Sequence, residues 1–375
     1  MTVSLKDGLK LVGISIICAC AIFVCTFFLS FYLDALSVRD AVSQEALPLY
    51  ESQLLSSKLT CLITGLCLLL VSVVLLLFYV KLYLDGHAKQ IGILKALGYG
   101  NGKIALGFWV FGLSVFVGCA VGFSGGYAIT PVIYGQMDGE GLPEIPITFH
   151  WELLALLVIV PAVFFAALAV LYAFLKLRLP ASELLLGKTE LAKGKTHIGK
   201  ANRPFLRELF FETLRTRKAL AFFVAFACFC FSAMLQMSVS MMDLASETMG
   251  GIVLGIGIIL AVMSLLLAFT AIINTNEKTV SVMRANGYTL LQCGVAVLGG
   301  YHIPAVIGFG VGTVYQYGIL KLMMEIVYAD MAKDYHFDIA TFFIVLAAFV
   351  VLFELAVLVF THRMGKASIR KLMAE

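Results

Sequence analysis

Charge is what this chain has least of. Only 13% of its 375 residues are Asp, Glu, Lys or Arg, against roughly a quarter in an ordinary soluble domain, so a soluble globular fold is excluded. The net charge of +4 is small and sits in particular loops, which excludes a nucleic-acid partner. A disulfide framework is missing as well. The nine cysteines are Cys18, Cys20, Cys25, Cys61, Cys67, Cys119, Cys228, Cys230 and Cys293. All lie in or at the edge of apolar runs and read as small buried apolar residues. No complete nucleotide-binding loop occurs. Gly187-Lys188-Thr189 ends like one, but Ser182 stands where the first glycine belongs. Gly102-Lys103 is followed by Ile104, with the wrong glycine spacing. No His-Glu-x-x-His sequence occurs, and His87, His150, His197, His302, His336 and His362 are scattered, so no metal site is expected. These absences predict a chain that is not itself an enzyme and holds no cofactor.

What is present is hydrophobicity, at 61% of residues. Apolar runs of about 20 residues, long enough to cross a hydrocarbon core of about 30 Å, recur along the whole chain. They predict eight spans at 9–33, 59–83, 104–130, 152–175, 219–241, 249–274, 293–324 and 339–361. The first run is too long for a signal peptide and has no clear cleavage site after it, so it reads as a retained helix. Lysine and arginine fix the sides. They fill 84–103 (Lys89, Lys95, Lys103), 176–218 and the tail after 361, whereas 131–151 and 242–248 carry acidic residues and no lysine or arginine. The 34–58 loop is mixed and mildly acidic. The alternation places both termini in the cytoplasm of a multi-pass protein.

The chain repeats itself. His87-Ala-Lys-Gln-Ile-Gly-Ile-Leu-Lys-Ala-Leu-Gly98-Tyr99 follows span 2, and Asn276-Glu-Lys-Thr-Val-Ser-Val-Met-Arg-Ala-Asn-Gly287-Tyr288 follows span 6. At one constant offset Lys89 pairs with Lys278, Ile91 with Val280, Ile93 with Val282, Leu94 with Met283, Lys95 with Arg284 and Gly98 with Gly287. The predicted architecture is therefore all-α: a four-helix repeat over 1–191, a linker at 192–202 and a second repeat over 203–375. The two repeats have the same topology, which implies a pseudo-twofold axis along the membrane normal. Each loop predicts a short cytoplasmic helix, 88–98 and 277–287, that ends at a C-cap glycine. Duplication favours docking of two copies of a cytoplasmic partner over a surface-lying amphipathic helix. Ile93, Leu94, Val282 and Met283 would fill a groove, with Lys89, Lys95, Lys278 and Arg284 at its rim.

Two features lie inside the spans. Gly118, Gly122 and Gly126 in span 3, and Gly308 and Gly312 in span 7, share one helix face at four-residue spacing. They predict close helix packing and, in a functional role, a seam where the two halves slide or hinge. Glu354 falls inside span 8, roughly 12 Å from the cytoplasmic end at about 1.5 Å per residue. His302 in span 7 is a partner within the membrane, either in a polar clasp or in gating or proton coupling.

The Lys89-Gln-Ile-Gly-Ile-Leu-Lys-Ala-Leu-Gly98 loop resembles the one between the second and third helices of FtsX-like permease domains, the MacB-type subunits of ABC transporters. Arg207-Glu-Leu-Phe-Phe-Glu-Thr-Leu-Arg-Thr-Arg-Lys218 resembles the basic amphipathic helix before that family's first span. Pro180-Ala-Ser-Glu-Leu-Leu resembles its close after the fourth. The resemblance implies a bacterial cell-membrane permease coupled to two copies of a cytoplasmic ABC ATPase, which binds the ATP and Mg. It also implies hydrophobic or amphipathic substrates such as lipids, lipopeptides or antimicrobial peptides. MacB-like and BceB-like members carry a large extracytoplasmic domain, and here the longest outside loop is 34–58. A family-style mechanism must then act through the helices, the short outer loops or a further membrane or extracytoplasmic substrate-binding subunit. The competing readings are an ATP-independent transporter with a Glu354–His302 relay and an intramembrane enzyme.

Overall fold

The computed structural model describes residues 5–39, 47–137, 146–178, 180, 217–242, 247–327 and 337–364. The linker 192–202, the Gly187-Lys188-Thr189 stretch, the basic stretch from Arg207 through Thr216, 181–185 and the tail 365–375 lie outside those residues, as do His197 and His336. All regular structure among the described residues is helical. Eight helices are long and apolar enough to cross a membrane: Val12–Val38, Leu69–Gly86, Asn101–Val132, Trp151–Lys176, Lys218–Ser240, Val253–Ile273, Leu290–Leu322 and Ile339–His362. They are spans 1 to 8.

In the first repeat α1 (Leu5–Val38) and α2 (Leu47–Gly86) carry spans 1 and 2. Both run past the expected boundaries, so much of the predicted 34–58 loop is helix. An outer apolar cluster of Phe31, Ala35, Tyr50, Leu54 and Tyr134 explains the extension, and the Tyr50 hydroxyl donates to the Ala35 carbonyl. The short helices α3 (Ala88–Ala96) and α4 (Asn101–Leu106) lead into α5 (Trp109–Met137). Span 4 starts as α6 (Trp151–Leu154), widens into a π-helical turn at Ala155–Ile159 and continues as α7 (Val160–Lys176). Pro161 stands two residues past the end of that turn. Proline brings no N–H and crowds the preceding turn, and the wider turn accommodates both.

The second repeat is built from α8 (Lys218–Met242), α9 (Glu247–Ala285), α10 (Leu290–Leu298), a 3₁₀ turn (Gly299–Tyr301), α11 (His302–Val327) and α12 (Ile339–Met364). The buried faces of spans 3 and 7 match position for position. Phe111, Val115, Cys119 and Phe123 are buried in one, and Tyr301, Ala305, Phe309 and Thr313 in the other. This register is one residue longer than that of the loop motif, and the 3₁₀ turn at Gly299–Tyr301 lies between the two. Its core is aromatic: Phe269 stacks parallel to Phe360 at 5.5 Å and meets Phe353 at 5.1 Å.

Packing contacts divide the chain into two units. One comprises Met1–Gly187, Ala245–Val253 and Ile319–Tyr335, and the other Lys188–Leu244, Leu254–Gly318 and His336–Glu375.

Candidate functional site

Each repeated segment, 88–98 and 277–287, ends in the same backbone device. Gly98 has φ 89° and Gly287 φ 85°, the left-handed region open to residues without a Cβ. Gly98 N–H donates to the Lys95 carbonyl at 3.0 Å and Tyr99 N–H to that of Leu94 at 3.1 Å. Gly287 N–H donates to Arg284 at 3.0 Å and Tyr288 N–H to Met283 at 3.2 Å. This is the Schellman arrangement, made twice from the matched glycines. It ends the helix and turns the chain toward the next span.

The side chains divide between inward and outward faces. Ile91 and Val280 are buried, and so is Met283, at 3% exposure. Ile93 is 52% exposed and Val282 is 62% exposed. Leu94 and Arg284 are half-buried and Lys89 is exposed. Lys278 lies on the inner turns of α9. Met283 is therefore turned inward, and Ile93 and Val282 form the matched outward pair. Lys95 is not a rim charge. Its ammonium donates to the Leu177 carbonyl at the end of span 4, at 2.6 Å, and partial burial lowers its pKa below the ordinary lysine value. The first coupling helix is thus tied to the C-terminus of span 4, where a cation also complements the helix dipole.

The segments join their spans differently. In the first, the helix is interrupted at His87 (φ −112°, ψ 18°), whose ring stacks on Tyr83 at 4.2 Å. In the second, α9 passes unbroken through the corresponding position, Asn276. There the Arg217 guanidinium donates to the Thr275 carbonyl and, at 2.7 Å, to Asn276 Oδ1. In sequence Arg217 is one of many loop cations that fix the orientation; its clamp depends on a contact with α9 that no local motif signals.

The glycine stripes face span 1 and span 5, not the junction of the two halves. A Cβ on Gly118 would lie 2.3 Å from the Ser15 carbonyl oxygen, and one on Gly122 would lie 2.1 Å from that of Ala19. On Gly126 it would meet Thr26 Cβ at 3.0 Å. On Gly308 it would lie 2.0 Å from the Ala225 oxygen, and on Gly312 2.6 Å from that of Phe229. The seam of close approach is therefore inside each repeat, where two backbones touch, and the expectation of a sliding surface between halves is replaced accordingly.

His302 and Glu354 do meet. The His302 Nε2 lies 3.0 Å from a Glu354 carboxyl oxygen, and its Nδ1 lies 3.0 Å from the Gly299 carbonyl. A carbonyl only accepts, so Nδ1 must carry a hydrogen. Nε2 then either accepts from a protonated Glu354 or, in the imidazolium, donates to its carboxylate. Both forms hold one shared proton between the two groups. The first repeat has Gly112 against Ala166 at this level, so the pair belongs to the second repeat alone.

Among the described residues no three His, Cys, Asp or Glu side chains converge as metal ligands. Sequence reading passed over a polar group at the outer end of the first repeat: buried Asp34 and Tyr134, half-buried His150 and exposed Thr148, joined by hydrogen bonds. The available signal was faint, an aspartate one helical turn after Ser30 at the close of an apolar run.

The model of the FtsX-like permease C-terminal family matches residues 62–179 and again residues 251–369. Together the matches span more than half of the chain, which therefore belongs to the FtsX-like permease family: it is a membrane subunit of the ABC transporter class, which works with a cytoplasmic ABC ATPase. Each match takes in three spans and one coupling segment and leaves out spans 1 and 5. No curated protein and no solved structure matches the chain.

Proposed function

We propose that this chain is the permease of an ATP-driven transporter for hydrophobic or amphipathic substrates, such as a lipid, a lipopeptide or an antimicrobial peptide, in a bacterial cell membrane. Two ATPase subunits dock on it, one at α3 and one at the cytoplasmic end of α9, and bind the ATP and Mg that the cycle consumes. The observation that carries this reading is the duplicated Schellman-capped helix with Ile93 and Val282 at matched, outward positions. A membrane-surface helix needs no copy with the same cap, register and outward residue; a twofold partner does. Buried apolar anchors supply most of an interface's energy and rim charges less, so Ile93 and Val282 rank above Lys89. Spans 1 and 5, packed backbone to backbone on spans 3 and 7, carry the motion across the membrane, and substrate is met by the helices and their short outer connections or by a further subunit.

Glu354 and His302 act as a clasp between spans 7 and 8. Their single shared proton satisfies both side chains, and Gly299 fixes the ring. The His302 ring also meets the Phe353 ring edge to face at 5.0 Å.

The test is purification of the chain from a strain that also expresses its ATPase. Co-purification, with ATP hydrolysis that depends on this chain, is expected. Transport in vesicles driven by a proton gradient and indifferent to ATP would overturn the reading in favour of a secondary transporter.

A further inference from the structure

The outer end of the first repeat holds a buried carboxylate that the coupling scheme does not use. Asp34 stands near the end of α1 with its side chain fully buried. Its Oδ1 accepts from the Thr148 hydroxyl, from the Thr148 N–H at 3.3 Å and from His150 Nε2 at 2.9 Å. Its Oδ2 accepts from the Tyr134 hydroxyl at 3.1 Å and from the Ser30 hydroxyl at 3.5 Å. The surroundings keep these groups in place. His150 N–H donates to the Tyr127 hydroxyl at 3.1 Å, and Tyr134 meets Phe31 edge to face at 5.8 Å. Burial first, and then the charge of Asp34, raise the Tyr134 pKa far above the ordinary tyrosine value, so its hydroxyl remains a donor. A buried carboxylate is tolerated only where its lone pairs are satisfied, and here the donors come from three separate stretches of chain: the end of span 1, the end of span 3 and the lead into span 4.

Two matched positions in the second repeat carry other residues. Phe337 against Tyr317 repeats Phe149 against Tyr127, which fixes the register. Asp338 then occupies the place of His150, and Met324 that of Tyr134. The Asp338 carboxylate turns onto its own helix and accepts from Ala340 N–H at 2.9 Å and from the Thr341 hydroxyl. That is a local cap and not a bridge.

We propose that Asp34 is a positioning residue whose carboxylate clasps the outer ends of spans 1, 3 and 4 into one body, and that this body stays closed while the coupling helices move. The second half of the statement rests on the permease reading; the first does not. Hydrogen exchange on the purified chain in lipid nanodiscs tests the first half. In Asp34→Leu, amides of 147–153 should exchange at least tenfold faster, with 339–345 unchanged and Asp34→Asn, which keeps one acceptor oxygen, in between. Unchanged exchange in Asp34→Leu would overturn the clasp. If that variant does not accumulate, Thr148→Val, at an exposed position, and His150→Phe, at a half-buried one, should each speed the same amides severalfold, and no change in either would count equally against it. The second half is read in the complex with the ATPase. Protection of 147–153 should be the same without nucleotide and with ATP plus vanadate, and a tenfold loss on nucleotide binding would show that the clasp opens in the cycle. Failure of any ATPase to bind would count against the permease reading and would leave the nanodisc result to decide the clasp.

Discussion

The two coupling segments start from nearly the same sequence and end in the same turn, yet they are mechanically different. The first is a nine-residue helix set off from span 2 at His87 and tied by Lys95 to the end of span 4. The second is the last part of a 39-residue helix that begins at the outer end of span 6, braced by Arg217 where the first is jointed. A jointed helix can turn against its span; a continuous one passes a push straight along its axis. Duplication thus preserved the outward apolar residue and the cap, while the connection to the membrane diverged. The pair at His302 and Glu354, where the first repeat has Gly112 and Ala166, extends the same asymmetry.

The largest effect is expected where the repeats agree. Gly122→Leu and Gly312→Leu each drive a side chain into a carbonyl oxygen of the facing helix. Each should destabilise by more than the usual overpacking range of about 1–3 kcal/mol, read as lost folded yield and a lower unfolding temperature in detergent. If one repeat tolerated the change and the other did not, the shared seam would be wrong.

The next effect separates the repeats. Arg217→Ala removes the donor to Thr275 and Asn276 and leaves buried acceptors short of a partner, at a cost of about 1.5–3 kcal/mol. Amide exchange should rise at 276–285 and stay unchanged at 88–96. Equal loosening of both segments would remove the contrast. Gly86→Ala works from the other side. A Cβ there meets nothing within 4 Å, and alanine favours helix over glycine by about 0.5–1 kcal/mol. The variant should melt slightly higher while ATP hydrolysis in the complex falls severalfold, because the joint has stiffened. Hydrolysis at the wild-type rate would show that the joint does not matter.

Glu354→Gln should do least. The amide can donate to His302 Nε2 as the protonated carboxyl does, so stability should stay within about 0.5 kcal/mol and coupled hydrolysis should persist. A well-folded variant without activity would show that the shared proton moves during the cycle.

Much of this was legible in the sequence, for physical reasons. Spans announce themselves because a bilayer demands about 20 apolar residues in a row. The caps do so because a left-handed position at a helix end selects glycine. The repeat register alone makes Ile93 and Val282 equivalent. Other features were not legible because they depend on contacts between distant segments. Asp34 reads as an ordinary loop acid until Tyr134, Thr148 and His150 are brought beside it. Met283 and Val282 are neighbours of similar hydrophobicity, and only packing shows that the first faces inward. The glycine stripes showed that something approaches closely, but not that the approaching backbones are those of spans 1 and 5. The helical extension of the 34–58 loop follows from the cluster around Tyr50, whose partners lie on three helices.

The central claim is that one chain presents two equivalent docking sites. It is tested by reconstituting the permease with its ATPase in lipid nanodiscs and measuring subunit stoichiometry together with ATP hydrolysis. Two ATPases per permease are expected. Ile93→Asp combined with Val282→Asp should cut hydrolysis at least tenfold, about 1.4 kcal/mol in binding terms, while Lys89→Ala should lower it only slightly. One ATPase per permease, or full hydrolysis with aspartate at both positions, would contradict the account and make these helices membrane-surface elements.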